Sequence, residues 1–244
     1  METIRLIEIS ALKDRLNALK LRIETACLTA RRDPAEITLI GVSKTHPATR
    51  IQDAISAGLT VFGENKAQEL REKALMMPGT QFGGTVTWHF IGALQRNKAK
   101  EVVNHADFFH ALDDLRLAET LNRLCSAQER ILPCFVQVNI SQEDSKSGLE
   151  PEELFSFLTL CQPFTHLRLV GLMGIARPAD DPEEVRPEFK KLRDLRDEAI
   201  QKALLPPQAW LSMGMSDDFE IAIQEGATHI RVGSAFFGSR SYIT

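Results

Sequence analysis

Leu39-Ile40-Gly41-Val42-Ser43-Lys44 continues an apolar, β-branched run that begins at Ile37 and is closed by Thr45-His46-Pro47. A short run of this kind, stopped by a proline turn, is the pattern of a buried strand. Strand side chains alternate, so Ile40, Val42 and Lys44 share one face. If the first two point into a core, the Lys44 amine sits at its rim, partly out of water. Desolvation lowers a lysine's pKa and turns the amine into a nucleophile towards aldehydes. A lysine that ends a strand with its head in solvent would read the same way in isolation.

The same unit recurs along the chain. Strand-like runs at residues 37–44, 61–65, 86–92, 108–112, 134–140, 167–175, 209–213 and 229–232 alternate with helical patterns at 48–57, 66–76, 95–104, 114–129, 150–161, 183–204 and 217–226. A short terminal turn, 233–239, follows the last strand. Strands alternating with helices demand parallel pairing with right-handed crossovers. Eight such units predict a closed (β/α)8 TIM barrel, over residues 36–240 of what reads as a single domain, 1–244. The first strand is followed by no G-x-G-x-x-G, which weakens the open dinucleotide-binding sheet. Ahead of the barrel, Leu6, Ile9, Leu12, Leu16, Leu19, Ile23 and Cys27 fall three and four apart. That spacing predicts an extra amphipathic helix over 3–32, packed on the outside of the barrel and ending near Asp33-Pro34.

Composition excludes several classes. The 244 residues are 43% hydrophobic with a net charge of −4, so no surface is built to neutralise a nucleic acid backbone. Four cysteines form no C-x-x-C pair, as expected for thiols in a reducing compartment. Six histidines form no paired zinc-ligand spacing, and no metal is expected. With no leader-like start and no long apolar run, the chain reads as a cytoplasmic protein without a membrane partner.

In this fold the site is built at the C-terminal strand ends, and phosphate often binds after strands seven and eight. There the chain has Ser212-Met213-Gly214-Met215-Ser216 and Arg231-Val232-Gly233-Ser234. Ser212 offers a hydroxyl and Ser216 a cap for the next helix, while Gly233 and Ser234 offer backbone N–H groups at the start of a helical turn. Asp217 and Asp218 read as helix caps facing solvent. An amine on strand one opposite an anion cradle suggests a ligand carrying both an aldehyde and a phosphate. Pyridoxal 5′-phosphate (PLP) is the economical choice; a phosphorylated sugar on a Schiff-base aldolase is the competitor. His89 reads as a buried histidine satisfied by backbone. Residues 141–148 form a polar loop at the same mouth that could cover a ligand.

Several motifs, taken together and in order, resemble the pyridoxal phosphate homeostasis protein family. They are Gly41-Val42-Ser43-Lys44, Phe62-Gly63-Glu64-Asn65-Lys66, Trp88-His89-Phe90-Ile91-Gly92, Gly171-Leu172-Met173, Ser212-Met213-Gly214-Met215-Ser216 and Arg231-Val232-Gly233-Ser234. The barrel of that family is similar to the N-terminal domain of alanine racemases. The resemblance implies that Lys44 holds PLP as a Schiff base and that Ser212, Gly233 and Ser234 hold its phosphate. It also places Arg231 at the pyridine nitrogen and Asn65 and Met173 near the ring. The implied role is PLP (vitamin B6) and amino-acid homeostasis without established catalysis, the protein being a monomer that serves PLP-requiring apo-enzymes. The alternative is a PLP-dependent amino-acid racemase. That reaction needs a second acid–base group, and the one tyrosine, Tyr242, stands two residues from the end.

Overall fold

The computed structural model describes residues 2–77, 86–141 and 147–238. Eight parallel strands close into a barrel in sequence order: β1 (Thr38–Val42), β2 (Val61–Glu64), β3 (Thr87–Phe90), β4 (Phe108–Leu112), β5 (Leu132–Gln137), β6 (Leu167–Met173), β7 (Trp210–Ser212) and β8 (His229–Val232). Closure is made where β1 pairs β8, with Ile40 opposite Arg231. Around the barrel run α2 (Ala48–Ser56), α3 (Ala67–Met76), α4 (Ala99–His105), α5 (Leu115–Ser126), α6 (Leu154–Cys161), α7 (Arg186–Gln201) and α8 (Phe219–Gln224). A single turn, α9 (Ser234–Phe237), follows β8. The N-terminal helix α1 (Glu2–Ala30) packs against α2, α8 and α9.

Each helix turns one stripe onto the outer face of the sheet. The stripes of α5 (Leu117, Ala118, Leu121, Cys125) and α6 (Leu154, Phe157, Leu158, Cys161) show the three–four spacing that makes this possible. The barrel interior is filled differently. Inward-pointing rings from alternate positions plug its lower half: His89 stacks on Phe108 (4.5 Å between centroids), His110 on Phe135 (4.3 Å), and His229 lies against Phe135 and Trp210 (5.0 and 5.1 Å). The pocket described below opens above this plug.

Several boundaries differ from the sequence reading. The expected first strand reaches Lys44, but β1 stops at Val42 and Lys44 lies in a turn, where the His46 N–H donates to the Ser43 carbonyl (3.0 Å). The fifth strand was expected to run to Ile140; β5 ends at Gln137, and the chain then pairs locally, Asn139 N–H donating to the Leu149 carbonyl (2.9 Å). The helical patterns at 95–104 and 150–161 open as 3-10 turns, Arg96–Lys98 and Pro151–Glu153, before becoming α-helical. On α1, Leu12, Leu16, Leu19, Ile23 and Cys27 are buried as expected, yet Leu6 is 62% exposed. The first turns of α1 meet polar neighbours instead of apolar ones, Arg5 donating to Asp53 of α2 at 2.7 Å.

Candidate functional site

A cavity of about 650 Å³ opens at the C-terminal ends of the strands. Lys44 reaches it from the turn after β1 and Asn65 from the residue after β2. Met173 closes β6, Arg231 lies on β8, and Gly233 and Ser234 form the turn into α9. The chain brings these together because each βα turn leaves the barrel at the same rim. Gly92 is needed there for close approach: a Cβ on it would stand 2.4 Å from the Asn65 carbonyl oxygen. Asn65 therefore packs directly on the β3 exit and presents its side chain to the cavity. Its Oδ1 is buried and has no hydrogen-bond partner among the described residues. Asn65 thus brings to the cavity wall an amide whose oxygen is left unsatisfied by the fold.

The anion end differs from the sequence reading in one hydroxyl. Ser212 is fully buried and lines no part of the cavity. Its Oγ lies 2.7 Å from Arg231 Nη1 and 2.8 Å from His110 Nδ1. Ser216, read from sequence only as a helix cap, lines the cavity instead. The Ala235 N–H donates to Ser216 Oγ at 3.5 Å, which ties the two turns of the cradle together. Gly233 leaves room at the wall: an added Cβ would meet nothing nearer than Val42 Cβ at 3.6 Å. Of the two aspartates expected to face solvent, Asp217 is exposed at the cavity edge. Asp218 turns back to accept the Met215 N–H at 2.5 Å.

Arg231 is 4% exposed, and its Nη2 donates to the Gly174 carbonyl at 3.0 Å. Burial pushes its pKa down to about 10 against the pull of Asp218, so it stays a cation at neutral pH. Behind it runs a relay that the sequence did not announce. His110 Nε2 lies 2.7 Å from His89 Nδ1, so His89 is satisfied by a side chain and not, as expected, by backbone. A guanidinium can only donate. The assignment that leaves no hydroxyl proton unpaired has Arg231 donating to Ser212, Ser212 to His110 Nδ1, and His110 Nε2–H to His89 Nδ1. Both imidazoles are then neutral, in keeping with burial, which holds their pKa values well below the ordinary one. The same burial, helped by the Arg231 charge, takes His229 to about 3.

An amine, an amide side chain, a fixed buried cation and a glycine–serine turn thus converge on one cavity. The donor set suits a ligand with an electrophilic carbonyl, a ring bearing an acceptor nitrogen and a hydroxyl, and an anionic tail, which is the chemistry of PLP. The expected cover at 141–148 falls mostly on residues 142–146, outside the described residues, as do Ser239 and Tyr242.

Fold and site define a barrel of the alanine racemase N-terminal domain class. The sequence model of that domain family matches residues 15–241. An alanine racemase from Clostridium difficile superposes with a TM-score of 0.72 at 14% identity, covering 96% of this chain and 58% of its own, a likeness of fold alone. Within that class the chain belongs to the pyridoxal phosphate homeostasis protein family. It is 41% identical over 231 residues to the Haemophilus influenzae pyridoxal phosphate homeostasis protein, covering 94% of this chain and 96% of the relative. To that of Escherichia coli (strain K12) it is 43% identical over 222 residues, covering 91% and 93%. PipY of Synechococcus elongatus, solved with PLP bound, is 34% identical with a TM-score of 0.80, covering 93% of this chain and all of PipY.

Proposed function

We propose that this chain holds PLP reversibly, with Lys44 as its covalent anchor, and acts as a carrier of the cofactor in vitamin B6 and amino-acid homeostasis. The observation that carries this reading is the meeting of Lys44, Asn65, Arg231 and the Gly233–Ser234 turn on one cavity. When bound, PLP supplies an aldehyde for a lysine amine and a ring able to withdraw electrons. Ser216, Gly233 and Ser234 would hold the phosphate, with N–H groups at the start of α9 as donors. Asn65 and Met173 would lie beside the ring.

Arg231 decides how the ring is tuned. A carboxylate beside the ring nitrogen would share a proton with it; a guanidinium, always charged, can only donate. Ser212 and Gly174 fix that guanidinium in place and His110 fixes Ser212, so the cation has little freedom to make way for a proton on the ring. Electron withdrawal into the ring is then weak, which favours holding the cofactor over reacting it with amino acids. Four free, buried cysteines suit the reducing cytoplasm as the setting. In this reading the protein works as a monomer and releases PLP to apo-enzymes that need it. Among the described residues, no helix is long and apolar enough to cross a membrane.

The test is the visible spectrum of the purified protein with PLP, followed by borohydride reduction and mass mapping. A yellow adduct bleached by borohydride, with the label on Lys44, is the expected result. A colourless protein, or a label elsewhere, refutes the reading. Incubation with L-alanine in deuterium oxide should leave Cα unlabelled; turnover-rate labelling would make the chain a racemase.

A further inference from the structure

Beside the cavity, and outside its lining, lies a buried ionic network that the reading above does not use. Lys73 of α3 is 6% exposed, and Glu64 at the end of β2 is fully buried. Lys73 Nζ has three acceptors: the Ser43 carbonyl at 2.9 Å, Glu64 Oε1 at 2.6 Å and Glu69 Oε2 at 3.1 Å. An ammonium has three N–H groups, so all are committed. Two further bonds close the network: the Ser43 hydroxyl donates to Glu64 Oε1 at 2.6 Å, and the Thr45 N–H donates to Glu69 Oε2 at 2.8 Å.

The residue before Lys44 is therefore gripped at its carbonyl and hydroxyl, and the residue after it at its N–H. All three holds run to Lys73 directly or through one carboxylate. None of these bonds goes to Lys44, whose side chain is left to the cavity. Thr45 adds the second observation. It has φ 69°, the left-handed region that a β-branched residue enters only against a steric penalty. The Glu69 carboxylate accepts the N–H of Thr45 in that conformation.

Buried ion pairs seldom add stability over apolar residues of like size, because both charges must be desolvated. Here one carboxylate oxygen, Glu64 Oε2, is also buried without a partner among the described residues. A network this unfavourable to bury is better explained by the geometry it imposes than by stability.

We propose that Lys73, Glu64 and Glu69 are the positioning residues of the PLP-anchoring lysine: they hold the turn at residues 43–45 in the one strained conformation that directs Lys44 into the cavity. The inference rests on Lys44 being the anchor. It makes the second βα unit the clamp for the functional residue of the first. Loosening the clamp should slow and weaken the covalent step while leaving the phosphate cradle alone.

Glu69→Ala is the variant of choice, because the Glu69 side chain is 23% exposed and water can reach what it leaves. Two ligands separate positioning from general damage: PLP, and 4′-deoxypyridoxine 5′-phosphate, which has the ring and phosphate but no aldehyde. Glu69→Ala should lower PLP affinity and borohydride-trapped adduct at limiting PLP by about tenfold, with binding of the deoxy analogue within about twofold of the unaltered protein. Glu69→Gln keeps an acceptor oxygen for Thr45 and should recover most of the loss. Thr45→Gly in the Glu69→Ala background should also restore trapping, since glycine takes positive φ freely. Equal losses for both ligands, no loss for either, or no rescue by Thr45→Gly would overturn the proposal. If the unaltered protein is trapped on a lysine other than Lys44, the anchor reading itself fails, which is a separate result.

Discussion

Ser212→Ala tests where the hydroxyl after β7 does its work. The substitution removes one oxygen from a fully buried position and leaves two groups without a partner, Arg231 Nη1 at 2.7 Å and His110 Nδ1 at 2.8 Å. The first is a charged donor. Hydrogen bonds to charged groups contribute about 1.5–3 kcal/mol, and a buried neutral group left unpaired costs about 1–3 kcal/mol. The expected loss is therefore about 3 kcal/mol, or a fall in Tm of about 6–12 °C for a chain of this size. Urea unfolding monitored by Trp fluorescence and circular dichroism measures it. The ligand arm compares PLP with pyridoxal, which lacks the phosphate. A loosened Arg231 weakens binding at the ring, so both ligands should lose affinity by the same factor. A stability change under about 1 kcal/mol, or a loss confined to PLP, would refute the relay and return Ser212 to the phosphate, where the sequence had put it.

Gly233→Ala should separate folding from binding. Its Cβ would make only ordinary contacts, the nearest 3.6 Å from Val42, so stability should stay within about 1 kcal/mol. PLP affinity should nevertheless fall at least tenfold, while pyridoxal binding, read by the same titration, should hardly change. Lys44→Ala should abolish the borohydride-stable adduct yet melt within a few degrees of the unaltered protein, because a partly exposed turn lysine contributes little packing; a persisting adduct would name another anchor. Acid should unfold the protein early. His89, His110 and His229 are neutral in the fold with depressed pKa values, and their unfolded forms take up protons near pH 6.5. Stability is thus complete above that pH and is lost below it, by about 1.4 kcal/mol per histidine per pH unit until the folded values are reached. Denaturant melts should show lower stability at pH 5 than at pH 7, by about 2 kcal/mol from His229 alone; a flat profile would show that the histidines titrate normally in the fold.

The motif residues that form the cavity were legible because strand ends are legible. Once eight runs were counted, the barrel rule placed Lys44, Asn65, Met173, Arg231, Gly233 and Ser234 at one rim, and the structure brings all six to one cavity. Sequence reading put Ser212 at the phosphate and Ser216 at a helix cap, whereas Ser216 lines the cavity and Ser212 does not, for a specific reason. Both are serines in one strand-to-helix segment four residues apart, and which of them faces the ligand depends on where β7 stops. The strand ends at Ser212, whose side chain then points inward to His110 and Arg231. His89 was read as buried, but its partner lies 21 residues away on the neighbouring strand, and a cross-strand partner leaves no trace in local spacing.

By itself the sequence determined what repeats and what alternates: eight parallel units, an outer helix, a rim lysine and a glycine–serine turn at the eighth strand. These follow from side-chain periodicity and turn chemistry, which act over a few residues. Tertiary structure alone decided which polar groups inside the barrel face one another, how Lys73 reaches across from the second unit to hold the turn of the first, and why Asn65 keeps an unpaired oxygen. Those outcomes depend on strand register and on the barrel's closure, which bring together side chains far apart in the chain and set which buried donors meet an acceptor there.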